Sequence, residues 1–545
     1  MSNLSHCLHA FVSKFLYYGV KHVVISPGSR NFPLIKTFIA ANKFVELHSV
    51  VDERAAGFVA LGLAQQTNTP VVVCTTSGTA SLNLYPAIAE AFYSQTPLVI
   101  LTADRPASAI DNWEGQCIRQ MNVFDNHILE SYQTPESVDT IYEFEDVATN
   151  AIQLAVVQHG PVHINMPFEE PFYSDWSEQK FSGVEKKTIQ EKFDPIPQAF
   201  QYDVKKAKNI LWLNGASRTT EVYEYPSNLV VWSDVISNKN KTTNLWENLL
   251  FSQDSITLSK PDLIVTTGQY FVSKPLRSYL RSVKGLSHWH INDGAEIPTP
   301  FETKPNTMHC EVTEVLKTVS QNYRSTDFYN AIQKADLHLN NEQLLMRWDD
   351  FSEFSALRKV YKELPSESIL HIANSMPIRY LAMLPIREDL VHAANRGTSG
   401  IDGCTSTAVG YAMATKKPVY LFTGDLAFLY DINGLWQKHM PENLRIVVFN
   451  NNGGGIFELI DGPVEHKETL PYQTTDHNRS IADMAKHFDF HYQLADSFVG
   501  LEKSLKMLLD SPKQVILEVK TERRLNKSFL NSYKHAMKRA IANDK

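Results

Sequence analysis

Cysteine is scarce in this 545-residue chain: Cys7, Cys74, Cys117, Cys310 and Cys404 are odd in number and widely scattered, with no Cys-x-x-Cys among them. Neither a disulfide framework nor a zinc site is signalled by that usage. Long apolar runs are missing, and the opening Met1-Ser-Asn-Leu-Ser-His lacks a basic segment ahead of an apolar core. Membrane insertion and a secretory leader are therefore not expected, and the cytoplasm is the expected compartment. Basic charge is in deficit too. The net charge of −8 argues against a general nucleic-acid binder, whose affinity rests on neutralising phosphates. What is present is globular composition, 43% hydrophobic against 21% charged, in a chain too long for a single core. About three domains are expected.

Short apolar runs alternate with helical patterns along most of the chain. His22 to Ser26, Pro70 to Cys74, Pro97 to Leu101 and Pro161 to Asn165 read as buried strands of a first α/β domain, residues 1–185. A polar, proline-containing stretch follows and reads as a linker, 186–205. Asn209 to Leu213, Leu229 to Trp232 and Leu263 to Thr267 mark a central Rossmann-like domain, 206–350, without a Gly-x-Gly-x-x-Gly or Gly-Lys-Ser/Thr fingerprint. Ser368 to His371, Asp389 to Ala393, Val419 to Phe422, Arg445 to Phe449 and Gln514 to Glu518 repeat the pattern in a third domain, 351–545. The fold class expected is α/β, with three doubly wound parallel-sheet domains. The basic tail from Lys520 reads as a helix with a solvated face.

One stretch of the third domain carries recognisable chemistry. An apolar strand opens into Gly424-Asp425-Leu426, and 27 positions after Asp425 (452 − 425) the next strand opens through Asn452 into Gly453-Gly454-Gly455-Ile456-Phe457. A carboxylate and an amide oxygen at neighbouring strand ends, with bare backbone beside them, suit a hard cation that keeps phosphate and water among its six oxygens. Asp425 and Asn452 would supply side-chain oxygens and Gly454 a carbonyl. Either half alone is ordinary turn chemistry; the pair resembles the thiamine-diphosphate motif. Leu426 departs from the glycine usual at the third position, which alters the turn and no ligand.

Three loops of the first domain strengthen the resemblance: Ser26-Pro27-Gly28-Ser29-Arg30, Glu53-Arg54-Ala55-Ala56-Gly57 and Thr75-Thr76-Ser77-Gly78-Thr79-Ala80. A glutamate in the first turn of a helix is also what dipole complementarity alone would place there. Its small-residue setting resembles that of the glutamate that activates the cofactor in thiamine-diphosphate enzymes, where a carboxyl facing the aminopyrimidine turns its exocyclic nitrogen into a base. With Ala103-Asp104-Arg105-Pro106 and Gly115-Gln116-Cys117-Ile118-Arg119-Gln120, the match narrows. The chain resembles the 2-succinyl-5-enolpyruvyl-6-hydroxy-3-cyclohexene-1-carboxylate synthase family of menaquinone biosynthesis.

That resemblance implies a pyrimidine-binding first domain, a diphosphate-binding third domain, and bound thiamine diphosphate with Mg²⁺, or Mn²⁺ in its place. It assigns Glu53 as the catalytic acid, and Asp425, Asn452 and Gly454 as metal ligands. Thr75, Ser77, Gly78, Ile401, Gly424, Asp425, Leu426, Asn452, Gly454, Ile456 and Phe457 become cofactor contacts, with Ile401 wedging the two rings into their bent form. Ser29, Arg30, Arg105, Gln116, Lys274, Ser375, Arg379 and Arg396 become substrate contacts. Pro275 stands where some members have an arginine. The implied reaction decarboxylates 2-oxoglutarate and adds the remaining four-carbon unit to isochorismate. Both substrates are dicarboxylates, which the arginine set would pair. An acetohydroxyacid-synthase-like decarboxylase, the neighbouring reading, has no need of that set. The family draws the two cofactor-binding loops from two chains, which implies self-association as a dimer or tetramer.

Overall fold

The computed structural model describes residues 2–137, 140–170, 173, 180–181, 192–217, 221–238, 245–252, 259–291, 300–459 and 465–542. The first part of the expected linker, 186–191, lies outside these residues; 192–197 form neither helix nor strand, and its last part is helical within Gln198–Lys206.

Among the described residues, three sheets account for the strands. The first contains β1 (His22–Ile25), β2 (Glu46–Ser49), β3 (Val71–Thr75), β4 (Leu98–Asp104), β5 (Ser131–Gln133) and β6 (Val162–Pro167), in the order β2-β1-β3-β4-β6-β5. All its pairs are parallel. The second orders β7 (Ile210–Asn214), β8 (Val230–Ser233), β9 (Leu263–Thr267), β10 (Ser287–Ile291) and β11 (Asn306–Met308) as β11-β10-β9-β7-β8. The third orders β12 (Ile369–Ile372), β13 (Val391–Ala393), β14 (Val419–Gly424), β15 (Leu444–Asn450), β16 (His491–Ala495) and β17 (Val515–Lys520) as β13-β12-β14-β15-β17-β16. Renumbered from its own start, the third order is the first again. β1, β3, β4, β14 and β15 read as near-continuous Val, Ile, Leu and Phe because helices cover both faces of a parallel sheet.

This order places the loops that matter. In an open α/β sheet, ligands gather beyond the strand ends where the order reverses direction. In the first sheet that point lies between β1 and β3, so Ser26 to Arg30 and Thr76 to Ala80 leave it side by side. Gly28 shows how close they run: a Cβ on it would lie 2.2 Å from Cβ of Thr76. The equivalent point of the third sheet lies between β12 and β14, where Ala373 N–H donates to the Phe422 carbonyl. Ala373 to Arg379 and Gly424 to Leu426 begin there.

Compactness does not follow the three expected spans. The chain divides into two units, one of residues 1–190, 395–419 and 427–444, the other of 191–394, 420–426 and 445–545. The segments of the third span join the first unit for a packing reason. The helix Cys404–Met413 lies on the helix Glu53–Thr67 with no side chain between them at two points. A Cβ on Gly62 would stand 2.1 Å from the Thr407 carbonyl oxygen, and one on Gly410 2.2 Å from that of Val59. In the second unit, one apolar core runs through the second and third sheets and the tail helix Arg523–Ala542, which buries Phe529, Leu530, Tyr533 and Met537 at helical spacing.

Candidate active site

In the first unit, Glu53 opens its helix directly after Asp52, whose Oδ1 accepts from Arg54 and Ala55 N–H. Oδ2 of Asp52 accepts from Asn433 Nδ2 at 2.7 Å, and the Arg54 guanidinium donates to the Tyr430 carbonyl. The first turn is thus held on both sides of Glu53. The Glu53 carboxylate itself accepts one long hydrogen bond, 3.4 Å from Asn83 Nδ2. It faces an open cleft of about 470 Å³ lined by Pro27, Gly28, Thr76, Ser77, Gly78 and Gln116, among others.

Gly78 has φ +82°, and a Cβ there would meet the Gln116 backbone at 3.1 Å, so the Ser77-Gly78 turn and the Gln116 loop touch main chain to main chain. Gln120, buried at the sheet end, accepts from Gly78 N–H and donates to the Ala103 carbonyl and to Asn165 Oδ1. Thr75 Oγ1 and Thr76 Oγ1 are buried hydroxyls with no hydrogen-bond partner among the described residues. Unsatisfied hydroxyls at the end of β3 fit a polar ring better than an apolar plug.

Two of the expected substrate cations converge here. Arg30 is buried, and Arg105 lies close enough to reinforce the effect of burial in lowering its pKa. Both arginines act on Asp104, whose carboxyl is raised by burial and held down by Asn165, the Arg105 N–H and the two guanidiniums. Arg105 Nε donates to the Gly115 carbonyl at 2.8 Å, tying it to the Gln116 loop. Arg30 donates to the Phe168 carbonyl at 2.7 Å and to Glu170 Oε1 at 2.6 Å. Nothing in the spacing of the sequence marks Glu170 as that partner. Ser29 is exposed beside Arg30.

The Arg396–Ile401 loop belongs to this unit and is anchored by a residue no motif contains. Glu90, fully buried in the helix Tyr85–Tyr93, accepts from Gly397 N–H at 2.7 Å, Thr398 N–H at 2.6 Å and Thr398 Oγ1 at 2.8 Å. Burial raises the Glu90 carboxyl; those three donors and Arg396 oppose the rise. Ile401 remains 37% exposed, a branched apolar side chain on a polar loop. Gly403 then turns at φ +70°, where a Cβ would strike the Phe58 ring.

In the second unit, β14 runs straight into the helix Asp425–Tyr430 with no intervening turn. Asp425 is 2% exposed. Oδ1 accepts from Leu426 N–H at 2.7 Å, and Oδ2 from Gly453 N–H at 2.9 Å and Asn451 N–H at 3.2 Å. Asn452 takes φ +60° just past β15, and Gly453 φ +147°, where a Cβ would lie 2.6 Å from the Thr474 carbonyl oxygen. Gly454 N–H donates to that same oxygen. Burial raises the Asp425 carboxyl against the N–H donors and His477, whose Nε2 stands 3.4 Å from Oδ2. Ile456 and Phe457 lie in a short 3₁₀ turn, Gly455–Glu458, clamped by Arg523, which pairs with Glu458 at 3.1 Å and Asp476 at 2.8 Å. Asn451 Oδ1 is buried without a partner among the described residues, and its Nδ2 donates to buried Glu353. This all-oxygen donor set beside a carboxylate and bare amides fits a hard cation with a diphosphate.

Ser375, at φ +73°, is the residue before the helix Met376–Ala382 and makes no capping side-chain bond, and the Arg379 guanidinium folds back to donate to its carbonyl. Lys274 is exposed at the first position of the helix Lys274–Arg281, after the N-cap Ser273. Glu247 hydrogen-bonds Ser273 and feels the Arg379 charge, and burial pushes it to about 7. Arg379 thus acts on a carboxyl that sequence reasoning missed, and Lys274 follows directly on the serine that hydrogen-bonds that carboxyl.

Residues 7–127 match the family described as "Thiamine pyrophosphate enzyme, N-terminal TPP binding domain" and residues 378–519 the one described as "Thiamine pyrophosphate enzyme, C-terminal TPP binding domain". A protein of Flavobacterium psychrophilum named 2-succinyl-5-enolpyruvyl-6-hydroxy-3-cyclohexene-1-carboxylate synthase is 38% identical over 534 residues, 94% of this chain and 96% of its own. Its namesake in Bacteroides fragilis is 32% identical over 564 residues, 96% of this chain and 97% of its own. Benzoylformate decarboxylase from Polynucleobacter necessarius shares the fold, with a TM-score of 0.71 at 16% identity over 96% of this chain and 99% of its own.

Proposed function

Because this chain belongs to the 2-succinyl-5-enolpyruvyl-6-hydroxy-3-cyclohexene-1-carboxylate synthase family of thiamine-diphosphate enzymes, we propose that it decarboxylates 2-oxoglutarate and adds the remaining unit to isochorismate in menaquinone biosynthesis. The observation that carries the substrate assignment is the gathering of Arg30, Arg105 and Gln116 at the strand ends beside the cleft that Glu53 faces. Guanidinium forks held by backbone carbonyls suit carboxylate groups, and a dicarboxylate substrate needs more than one of them.

Thiamine diphosphate, when bound, supplies the carbon nucleophile and the electron sink that decarboxylation requires. Thr75, Ser77 and Gly78 would line its pyrimidine half, and Glu53 would hold a proton against that ring. Ile401 would brace the rings. Asp425, Asn452 and Gly454 would hold Mg²⁺, for which Mn²⁺ is the hard-cation alternative, with Gly424, Leu426, Ile456 and Phe457 around the diphosphate. Ser29, Arg30, Arg105, Gln116, Lys274, Ser375, Arg379 and Arg396 would bind substrate. The protein would work in the cytoplasm as a dimer or tetramer. No described helix is long and apolar enough to cross a membrane.

Carbon dioxide release from 2-oxoglutarate, with and without isochorismate, tests the reading against pyruvate as competitor. Preference for pyruvate would overturn the substrate assignment and leave the family membership intact.

A further inference from the structure

His22 opens β1, and its register partner on the parallel strand β2 is Glu46. Side chains alternate faces along a strand, so His48, two residues past Glu46, returns to the face that Glu46 and His22 share. The distances follow from that placement. His22 Nδ1 lies 3.1 Å from His48 Nε2 and 3.7 Å from Glu46 Oε2, and the three donor atoms all lie within 4.8 Å of one another. Among the described residues it is the one group of three or more His, Cys, Asp or Glu side chains so arranged. Donors held at about 2.05 Å around a tetrahedral Zn²⁺ sit roughly 3.3 Å apart, a spacing that the separations from His22 Nδ1 bracket.

The electrostatics agree with the geometry. Burial lowers His22, with Lys21 adding to the effect and Glu46 opposing it; burial and His22 bring His48 down to about 4. Both imidazoles are therefore neutral near pH 7, the form that ligates. Only one of the two facing nitrogens carries hydrogen in the empty state, and moving it to the far nitrogen of the same ring frees both lone pairs. The Glu46 side chain is 64% exposed, which leaves an entry path and a solvent-facing fourth position. Two imidazoles with one carboxylate suit Zn²⁺ and its transition-metal neighbours, whereas Mg²⁺ prefers oxygen alone.

We propose that His22, Glu46 and His48 form a binding site for a zinc-class divalent cation, distinct from the Mg²⁺ site, that staples edge strand β2 to β1. The site lies at the start of these strands, and the cleft at their far end, about 13 Å of strand away. An edge strand has one paired side only, and β2 leads through Val50 to Asp52 and Glu53, so the staple would steady the strand that delivers the catalytic acid.

The test uses the untagged full-length protein, stripped by chelator and titrated with Zn²⁺ in saturating Mg²⁺ against a chromophoric competitor. One Zn²⁺ per chain is expected, with a four-coordinate visible spectrum on Co²⁺ substitution and a raised thermal midpoint. Glu46→Gln and His48→Gln should each weaken binding on the order of tenfold or more, because losing a ligand costs at least as much as losing its outer partner. Since His22 is buried, the exposed Glu46→Gln change carries the test should His22→Ala fail to fold. Undiminished affinity in both glutamine variants, or no saturable zinc at micromolar concentration, would overturn the proposal. Mg²⁺-dependent cofactor binding should be unchanged in Glu46→Gln, which separates this site from the reaction itself.

Discussion

Gly62 and Gly410 meet where their two helices cross: a Cβ on Gly410 would come 3.0 Å from the Gly62 Cα. One helix begins at Glu53, and the other follows directly on Ile401 and Gly403. The closeness of two backbones therefore sets the spacing between Glu53, the proposed activating acid, and the loop that carries Ile401. Gly62→Ala puts a methyl into the Thr407 carbonyl, which has no flexible side chain to yield. It should destabilise the protein by about 1–3 kcal/mol in denaturant titration and lower activity with it. A variant as stable as the parent would show that the helices separate without cost.

Glu53→Gln and Asp425→Ala should fail in different ways. The first keeps size and polarity but loses the ionisable proton site. Turnover should fall by about 10²–10⁴-fold with cofactor affinity nearly unchanged by calorimetry. Asp425→Ala should instead weaken Mg²⁺-dependent cofactor binding by about 10–100-fold. Unaltered turnover in the glutamine variant removes Glu53 from the chemistry; tight metal-dependent binding in the alanine variant removes Asp425 from the metal site.

Glu170 holds the Arg30 guanidinium that a substrate carboxylate is expected to need. Its side chain is 64% exposed, so the pair is a surface-type bridge worth about 0–1 kcal/mol. Glu170→Ala should lower KM for the dicarboxylate partner by up to about fivefold with kcat unchanged. A raised KM would mean that Glu170 orients Arg30 for binding and does not compete for it.

Glu353 gives a pH signature to the second unit. Burial, with Asp425 adding to it, lifts its carboxyl from 4.5 to about 8. Between those values the folded chain holds a proton that the unfolded chain has lost, so stability is greatest below the lower value and declines as pH rises to the upper one. Glu353→Gln, which mimics the protonated form, should flatten that decline in thermal midpoints taken at about pH 5 and about pH 8. Parallel curves for parent and variant would show that the buried carboxyl does not titrate in this window.

The strands at sheet centres and the loops after them were legible because a doubly covered parallel strand must be apolar throughout and its ligand loop must turn. Some edge strands were not, although the more apolar edges Val230–Ser233 and Val391–Ala393 were. Glu46–Ser49, Ser131–Gln133 and His491–Ala495 are polar or half-buried and carry no run to read. The motif residues Asp425 and Asn452 fell at strand ends as expected, with one local difference: Asp425 starts a helix where a turn was read. The supporting carboxylates stayed hidden for a different reason. Glu90, Glu170, Glu247 and Glu353 act on residues up to 308 positions away, and no spacing rule links a buried acid to a loop that far along the chain. The histidine–glutamate cluster was invisible for the same reason, its pieces lying on two strands.

The interleaving of the two compact units bears on any attempt at dissection. The chain leaves the first unit after residue 190 and returns to it for 395–419 and 427–444. A fragment cut at the first exit would carry the Glu53 helix with its glycine groove open and Val59, Leu63 and Phe58 bared to solvent. Such an amino-terminal piece should be recovered as aggregate, and the soluble minimum for this half of the catalyst is the uncut polypeptide.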